Sequence, residues 1–458
     1  MAKFRPAAPN PKTQKQTIRG SLLSIWRGDM GIFPRKFYRG KLLRIPTLGK
    51  PRWFVNDPDI VRQVLVRNQK NYPKHAVMKR LLKPLLGGSI FVTNGKTWER
   101  QRRMVNPALE LSKLKVLYPI MLSAIEDLQE RLRSKDYCKD WDVDAEMTHV
   151  TADVIFRTIF SRAIELESAD KIFSAFSAYQ QHIPKFMMLE VLGLSQFLLP
   201  FKRRQARKNA SLIRRELEPL IRNRQELLKT EQGPDDLLTS LIRAKDPETG
   251  KVFSAIDLVD EIAFFFLAGH ETSASGLSWC LYLIANDQTY LARIQAELDE
   301  VLEGRSPAFA DLRKLEVTRN AFREALRLYP PVSFYIREAI KEDTLRDKKV
   351  CPHSQVIVSP WLIHRHEEWW DEPDMFDPDR FARDECKHAV RGAYLPFNAG
   401  PRICSGAGFA QQEAVLILAT VLQSYTIKPH PTHVPEPVGQ LTLRSRNGMR
   451  LFIEPRET

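Results

Sequence analysis

The stretch that decides the fold is Pro396–Ala410, which reads PFNAGPRICSGAGFA. A Gly-Pro pair at 400–401 predicts a turn, and the small residues at 405–408 predict the start of a helix directly after Cys404. A thiol at this position meets unpaired backbone N–H groups and the positive end of the helix dipole, which favours its thiolate form. The small neighbours would also let a flat, bulky group approach the sulfur closely.

Cys404 is one of five cysteines, which are widely spaced and include no CxxC pair. This pattern argues against a disulfide framework or a structural zinc site, and it indicates a reducing compartment. An unpaired cysteine is most often a small buried hydrophobe, and the alternative here is a metal-binding thiolate. Arg402 favours the second interpretation, because it can offer charge-assisted hydrogen bonds to an anion such as a porphyrin propionate.

The totals predict one large globular unit rather than a string of modules. The chain has 458 residues, 43% of them hydrophobic, and its 30 prolines are scattered. We expect a basic, partly ordered N-terminal leader at 1–39 and a single domain at 40–458. The leader lacks the apolar stretch of a signal peptide or membrane anchor, so we expect a soluble, cytoplasmic monomer. The net charge of +15 fits an acidic protein partner or a solvated surface, and no nucleic-acid module accompanies it.

Apolar periodicity predicts a mainly α protein with a small β portion. Helices are expected at 58–66, 111–133, 150–163, 206–230, 255–285, 288–302, 314–328 and 406–424. Strands are expected at 42–45, 53–55, 332–337, 355–359 and 441–454.

The helix at 255–285 has an N-cap candidate in Ser254, with Asp257 in its first turn. It is apolar nearly all round, so it must lie buried across the body of the protein. Its middle, residues 268–273, reads AGHETS and places a glycine and polar side chains where they weaken a buried helix. Either a helix crossing needs small residues there, or the helix breaks and lines a pocket.

The cysteine stretch resembles the haem-binding loop of the cytochrome P450 family, FxxGxRxCxG. Its fixed positions are Phe397, Gly400, Arg402, Cys404 and Gly406. The resemblance implies that Cys404 is the axial ligand of a haem b iron, that Phe397 and Gly406 contact the haem, and that Arg402 pairs with a propionate. It also implies the family fold, with haem between the long central helix and the helix that follows the cysteine loop.

Further family motifs follow in the expected order. Trp98 and Arg102 resemble the WxxxR pair that binds a propionate, although a basic amphipathic helix would read the same way. Glu324 and Arg327 resemble the ExxR motif, and Arg380 would complete a Glu-Arg-Arg network. Arg337 is similar to another propionate-binding arginine, or it is simply a charge at a strand end.

Ala268, Gly269, Glu271 and Thr272 resemble the family's oxygen-activation motif. The resemblance implies that Ala268 and Gly269 contact the cofactor and that Glu271 and Thr272 are catalytic. The threonine hydroxyl would hold oxygen and water in a widened helix turn, while Glu271 would relay protons into an apolar pocket. His270 is expected to point away from the cofactor. The resemblance further implies a pocket for an apolar substrate, lined by the 70–90 region, the segment near 175–200 and the loop near 441–447. The named pocket residues are Phe264, Leu267, Ala268, Val332, Phe334 and Ile336.

The function implied is a monooxygenase that uses O2 and takes NAD(P)H electrons only indirectly. An acidic ferredoxin or flavodoxin with its reductase would deliver them, near Arg100, Arg103, Lys113, Lys115 and Arg391. Residues 186–201 could form an apolar lip that touches a membrane, or a helix pair packed over the pocket. Rival functions are a peroxide-driven or isomerising haem enzyme, a haem-based gas sensor or carrier, and a basic nucleic-acid-binding protein.

Overall fold

The computed structural model describes residues 3–9, 24, 27–45, 50–134, 140–163, 166–183 and 200–456. Helices dominate it, as the periodicity predicts. They span Pro58–Arg62, Ala76–Leu86, Gly95–Val105, Leu111–Ser134, Val143–Phe160, Leu166–Gln180, Pro200–Lys229, Leu237–Arg243, Ala255–Ala285, Gln288–Leu302, Glu316–Leu328, Pro360–Ile363, Lys387–Ala393 and Ala407–Ser424. A π-helical turn at Gln63–Arg67 continues the helix that begins at Pro58.

The strands form small sheets at the margins of the helical body. They are β1 (Leu42–Ile45), β2 (Arg52–Val55), β3 (Trp141–Asp142), β4 (Tyr335–Glu338), β5 (Asp343–Leu345), β6 (Lys348–Val350), β7 (Gln355–Val358), β8 (Tyr425–Pro429), β9 (Pro437–Gly439), β10 (Leu443–Ser445) and β11 (Arg450–Pro455). The largest sheet has the order β1-β2-β7-β4, and only its β2–β7 pair is parallel. β11 lies between β3 and β8, while β9–β10 and β5–β6 are hairpin-like pairs.

The central helix, Ala255–Ala285, begins with the predicted capping box. The N–H of Asp257 donates to Ser254 Oγ over 3.2 Å, and the N–H of Ser254 donates to the Asp257 carboxylate over 3.0 Å. These two bonds satisfy donors that a helix start leaves free. From Leu258 onward nearly every side chain is buried, so the helix runs through the core.

Some predicted boundaries were wrong for local reasons. The helix expected at 150–163 begins at Val143, because the Asp142 side chain caps it by accepting a bond of 3.1 Å from the N–H of Ala145. The strand expected at 332–337 is shorter and starts at Tyr335, after a turn. Within the described ranges, no helix is both long and apolar enough to cross a membrane.

The described parts of the predicted leader lie against the body. Met30, Phe37 and Tyr38 are buried, and the Phe37 ring meets the Phe54 ring edge to face at 5.3 Å. The apolar lip predicted at 186–201 falls mostly outside the described residues. Its described end, Phe201, is 86% exposed, and membrane contact there stays a prediction.

Candidate active site

The loop before Cys404 is shaped by its backbone. The Cys404 N–H donates to the Phe397 carbonyl over 2.9 Å, which folds the segment back on itself. Gly400 has a φ of +68°, and a Cβ there would lie 2.2 Å from the Leu65 carbonyl oxygen. Only glycine therefore fits this turn. The helix Ala407–Ser424 begins a few residues later, so the sulfur lies at a helix start.

The Cys404 side chain is exposed, yet protein atoms surround it closely enough for burial to raise the pKa of its thiol. We infer that the sulfur lies in a concave part of the surface, called the recess below. The Gly406 N–H and the nearby Arg102 charge lower the pKa, as helix-start geometry predicts, but burial outweighs them. The local effects act in the predicted direction, and the thiolate form of Cys404 stays a prediction. A Cβ added at Gly406 would meet only Cys404 Sγ, at 4.0 Å, so the space beside the sulfur is kept free of side chains.

Four cations converge on one side of this recess: Arg102, Arg337, Arg402 and Lys74. Burial and mutual repulsion lower the pKa of Arg402 to about 9, and burial lowers that of Arg337 to about 10. The pKa of Lys74 lies well below its ordinary value, mainly because of burial and also because the three arginines repel its charge. Sequence reasoning missed Lys74, because nothing in the stretch NYPKHA marks its lysine as different from surface lysines.

The hydrogen bonds of this cluster go to uncharged groups. Arg102 donates to the Ile403 carbonyl over 2.8 Å, and Arg402 donates to Asn94 Oδ1 over 2.8 Å while lying 4.1 Å from the centre of the Trp98 ring. Within the described residues, Arg402 Nη1 is buried and has no hydrogen-bond partner. Buried cations that repel each other and keep a free donor fit an anionic group such as a pair of propionates.

The second predicted set, Glu324, Arg327 and Arg380, forms a fully buried network. Arg327 donates to both oxygens of Glu324 over 2.7 and 2.8 Å, and Arg380 Nε donates to the same carboxylate over 3.1 Å. The remaining donors of Arg327 reach backbone carbonyls of residues 364, 373 and 375. The network thus ties the helix Glu316–Leu328 to the irregular segment before the cysteine loop.

The central helix carries one accessible stripe in its buried middle. Phe264, Ala268 and Thr272 are half-buried, while most residues around them are buried. Their four-residue spacing places them on one face, so an open space within the protein meets the helix there. Phe91, which sequence reasoning did not single out, lies against this face and stacks on Phe264 at 5.5 Å.

The structure also separates the two explanations for the AGHETS segment. The helix is α-helical throughout, so the predicted break or widened turn was wrong. A Cβ at Gly269 would lie 2.7 Å from the Ile155 side chain, so the crossing of the two helices needs a small residue there, and the cofactor contact of Gly269 stays a prediction. Ala268 and Thr272, in contrast, face the open space. Thr272 donates its hydroxyl proton to the Ala268 carbonyl over 2.8 Å, which leaves its oxygen free to accept.

The other predicted pocket residues divide in the same way. Val332, Phe334 and Ile336 are half-buried, and the Phe334 ring lies 5.7 Å from that of Phe33. Leu267 is only 5% exposed and belongs to the buried core, and its assignment to the pocket stays a prediction.

Glu271 is buried and held by two partners from the C-terminal part of the chain. Arg444 Nε and Thr442 Oγ1 donate to its Oε1 over 2.8 and 2.7 Å. Burial pushes the pKa of Glu271 up, but the Arg444 charge and hydrogen bond outweigh it and lower the pKa to about 2. His270 Nδ1 lies 2.7 Å from the Phe266 carbonyl, and the side chain is buried, so it points away from the open space as expected.

The cysteine near a helix start, the four-cation cluster beside it and the accessible stripe next to Glu271 and Thr272 fit the haem-thiolate site that the motifs predict. The comparisons with known proteins agree. The family model described as Cytochrome P450 matches residues 18–451, and the chain belongs to this family. It is therefore a haem-iron monooxygenase.

Relatives come from bacteria and mammals. The chain is 32% identical over 417 residues to cyclooctat-9-en-7-ol 5-monooxygenase of Streptomyces melanosporofaciens, covering 90% of this chain and 88% of that one. It is 29% identical over 435 residues to cytochrome P450 4A14 of Rattus norvegicus, covering 91% and 84%. The crystal structure of the cytochrome P450DA heme domain superimposes with a TM-score of 0.83 at 24% identity, covering 99% and 98%, which confirms the fold.

Proposed function

We propose that this monooxygenase inserts one oxygen atom from O2 into an apolar substrate of the fatty-acid, terpenoid or steroid-like class. The observation that carries the proposal is the stripe of Phe264, Ala268 and Thr272, because it offers a substrate an apolar wall with a single hydroxyl. Phe91, stacked on Phe264, extends that wall with a second aromatic ring. One relative is named as a monooxygenase of cyclooctat-9-en-7-ol, and the alkenol in this name supports an apolar substrate for the present chain.

The residues that would hold the haem follow from the recess. Cys404 would ligate the iron, Phe397 and Gly406 would border the sulfur, and the four-cation cluster with Trp98 would receive the propionates. When bound, thiolate-ligated haem iron supplies the binding and reductive activation of dioxygen. The Glu324 network would keep the cysteine loop in place, since three of its hydrogen bonds end on the preceding segment.

Thr272 and Glu271 would relay protons to this pocket. The Thr272 oxygen faces the open space and can accept a hydrogen bond, because its own proton is donated to the Ala268 carbonyl. Glu271, one residue earlier, is ionised and pairs with Arg444, whose Nη1 lies 3.8 Å from Asp144. This chain of polar groups leads from the pocket side of the helix towards the half-buried Asp144, and protons would enter along it.

Electrons would come from an acidic ferredoxin or flavodoxin served by an NAD(P)H-dependent reductase. Of the basic residues predicted to meet it, Arg103 and Lys113 already pair with Asp246 and Asp235 over 2.8 and 2.9 Å. Lys115 and Arg391 are exposed and would carry the contact. Charge reversal at Lys115 should therefore slow reduction more than reversal at Lys113, and added salt should remove the difference.

A substrate-binding screen on the purified ferric protein tests the proposal. Apolar acids, terpenoids and steroids should shift the Soret band to shorter wavelength, and Ala268→Phe should weaken that response by filling the stripe. Tight binding restricted to small polar compounds would refute the substrate class. Product formation driven by a donor protein and O2 distinguishes a monooxygenase from a gas-binding haem protein.

A further inference from the structure

Residues 3–9 form what we term the N-terminal strap. They adopt neither helix nor strand, yet they lie against the meander, the irregular segment at 371–381 that precedes the cysteine loop. Lys3 Nζ lies 2.5 Å from Glu372 Oε2 and 3.1 Å from Asp377 Oδ2, so one cation joins two carboxylates of the meander.

Backbone bonds fix the strap along its length. The Phe376 N–H donates to the Phe4 carbonyl over 2.9 Å, and the Ala7 N–H donates to the Tyr282 hydroxyl over 3.2 Å. The Tyr329 hydroxyl donates to the Ala7 carbonyl. Phe376 and Tyr329 are almost fully buried, so both donors would lose their partners without the strap, and a buried unpaired donor is costly.

The meander is held from its inner face by the Glu324 network. Arg327 donates to the carbonyls of residues 373 and 375 over 2.7 and 3.0 Å, and the Asp377 N–H donates to Glu324 over 3.0 Å. The strap bonds to neighbouring positions from outside. The meander therefore lies between an inner and an outer set of contacts.

One meander residue needs such support. Glu372 has a φ of +42°, a left-handed conformation that a residue with a Cβ adopts at a cost. Its carboxylate is bonded to Lys3, while its carbonyl accepts from the Met375 N–H over 3.0 Å. The strap thus fastens the side chain of a strained turn.

The connection from the meander to the sulfur is short. Arg327 Nη1 donates to the His364 carbonyl over 2.7 Å, and His364 Nε2 accepts from the Leu395 N–H over 2.7 Å. Leu395 directly precedes the loop that ends at Cys404. A meander that moves would loosen Arg327, and with it the start of the cysteine loop.

We propose that the strap is a positioning element for the haem-thiolate site. By holding the outer face of the meander it determines how firmly the chain retains haem with Cys404 as ligand. The inference rests on the proposed role of Cys404 as haem ligand. It assigns a supporting role to residues 3–9, which lie outside the family's motifs.

The test compares the haem-loaded full chain with Lys3→Gln, with Lys3→Arg and with a chain lacking residues 2–9. The matched control is Lys428→Gln, since Lys428 forms a similar pair with Glu454 over 2.6 Å on the β8–β11 sheet, away from the meander. We measure haem transfer to excess apomyoglobin, the fraction of the reduced carbon monoxide complex with a thiolate-type Soret band, and hydrogen exchange of meander amides.

Haem transfer should accelerate about two- to fivefold in Lys3→Gln and roughly tenfold or more in the truncated chain. Lys3→Arg should restore the parent rate, and Lys428→Gln should not change it. Exchange of the Phe376 amide should accelerate in step with haem loss.

Equal haem transfer in the full and truncated chains would overturn the proposal, as would equal acceleration by Lys428→Gln. A full chain without a thiolate-type band would instead refute the assignment of Cys404. In that case hydrogen exchange still tests the role of the strap. If the meander amides exchange equally slowly in the full and truncated chains, the strap does not hold the meander.

Discussion

Replacing Arg444 by glutamine should reverse the protonation state of Glu271 at neutral pH. Glu271 has a pKa of about 2, below its ordinary 4.5, because Arg444 outweighs burial. That difference corresponds to about 3 kcal/mol of stability, present above pH 4.5 and lost as the pH falls towards 2.

Two other buried glutamates, which accept hydrogen bonds from neutral groups, indicate the pKa that Glu271 would have without Arg444. Glu261 receives one bond from the Ile90 N–H and Glu413 one from Ser273, and burial raises the pKa of each to about 8. In Arg444→Gln, Glu271 would keep the Thr442 bond and lose its cation, so its pKa should approach the same range. The carboxyl would then be neutral at pH 7.

The change in the pKa of Glu271 should also reverse how the free energy of unfolding depends on pH. In the parent chain Glu271 adds stability as the pH rises from 2 to 4.5, whereas in the variant it should remove stability as the pH rises from 4.5 to 8. Breaking this buried pair should cost about 3–5 kcal/mol at neutral pH.

Two measurements check this prediction. Infrared spectra should show a protonated carboxyl band at pH 7 in Arg444→Gln that disappears when Glu271→Gln is added. Urea unfolding across pH should show the reversed slope. The control is Arg446→Gln on the same part of the chain, where the pairs with Glu436 and Asp29 lie near the surface and should each contribute less than about 1 kcal/mol. An Arg444→Gln protein with no such band, destabilised no more than the control, would refute the reasoning.

Three further predictions concern packing, the buried network and the cation cluster. Gly269→Ala should lower the free energy of chemical unfolding by about 1–3 kcal/mol, because its Cβ would lie 2.7 Å from Ile155. Ile155→Ala should relieve this clash, and additive losses in the double variant would contradict the explanation. Arg327→Lys should cost about 3–5 kcal/mol and yield haem-poor protein by Soret absorbance, since lysine cannot bind Glu324 with two parallel bonds; full haem content would contradict it. Arg402→Gln should raise the pKa of Lys74, because it removes a charge that repels the lysine. NMR of the Lys74 Nζ in haem-free protein measures this pKa, and an unchanged value would contradict repulsion between the two residues.

Much of the site could be predicted from local sequence. The capping box at Ser254 consists of hydrogen bonds to a residue three positions later, and a Gly-Pro pair at 400–401 predicts a turn by itself, although the contact of Gly400 with Leu65 is long-range. Glu324 and Arg327 lie one helical turn apart, so their pairing follows from helix geometry.

Other features needed contacts between distant parts of the chain. The need for a glycine at position 269 is one of them, because an added Cβ would meet Ile155 of the neighbouring helix, more than a hundred residues away in the sequence. The uninterrupted central helix likewise reflects tertiary packing, which outweighs the weak local propensity of a glycine.

The sequence by itself determined the family, the cysteine ligand candidate and the mainly helical fold, because these depend on residue type at fixed short spacing. Only the tertiary structure decided which charges meet: Lys74 with three arginines, Arg444 with Glu271, and Lys3 with the meander. The physical reason is that the energy of a charge depends on its burial and on partners hundreds of residues away, and neither can be read from its sequence neighbours.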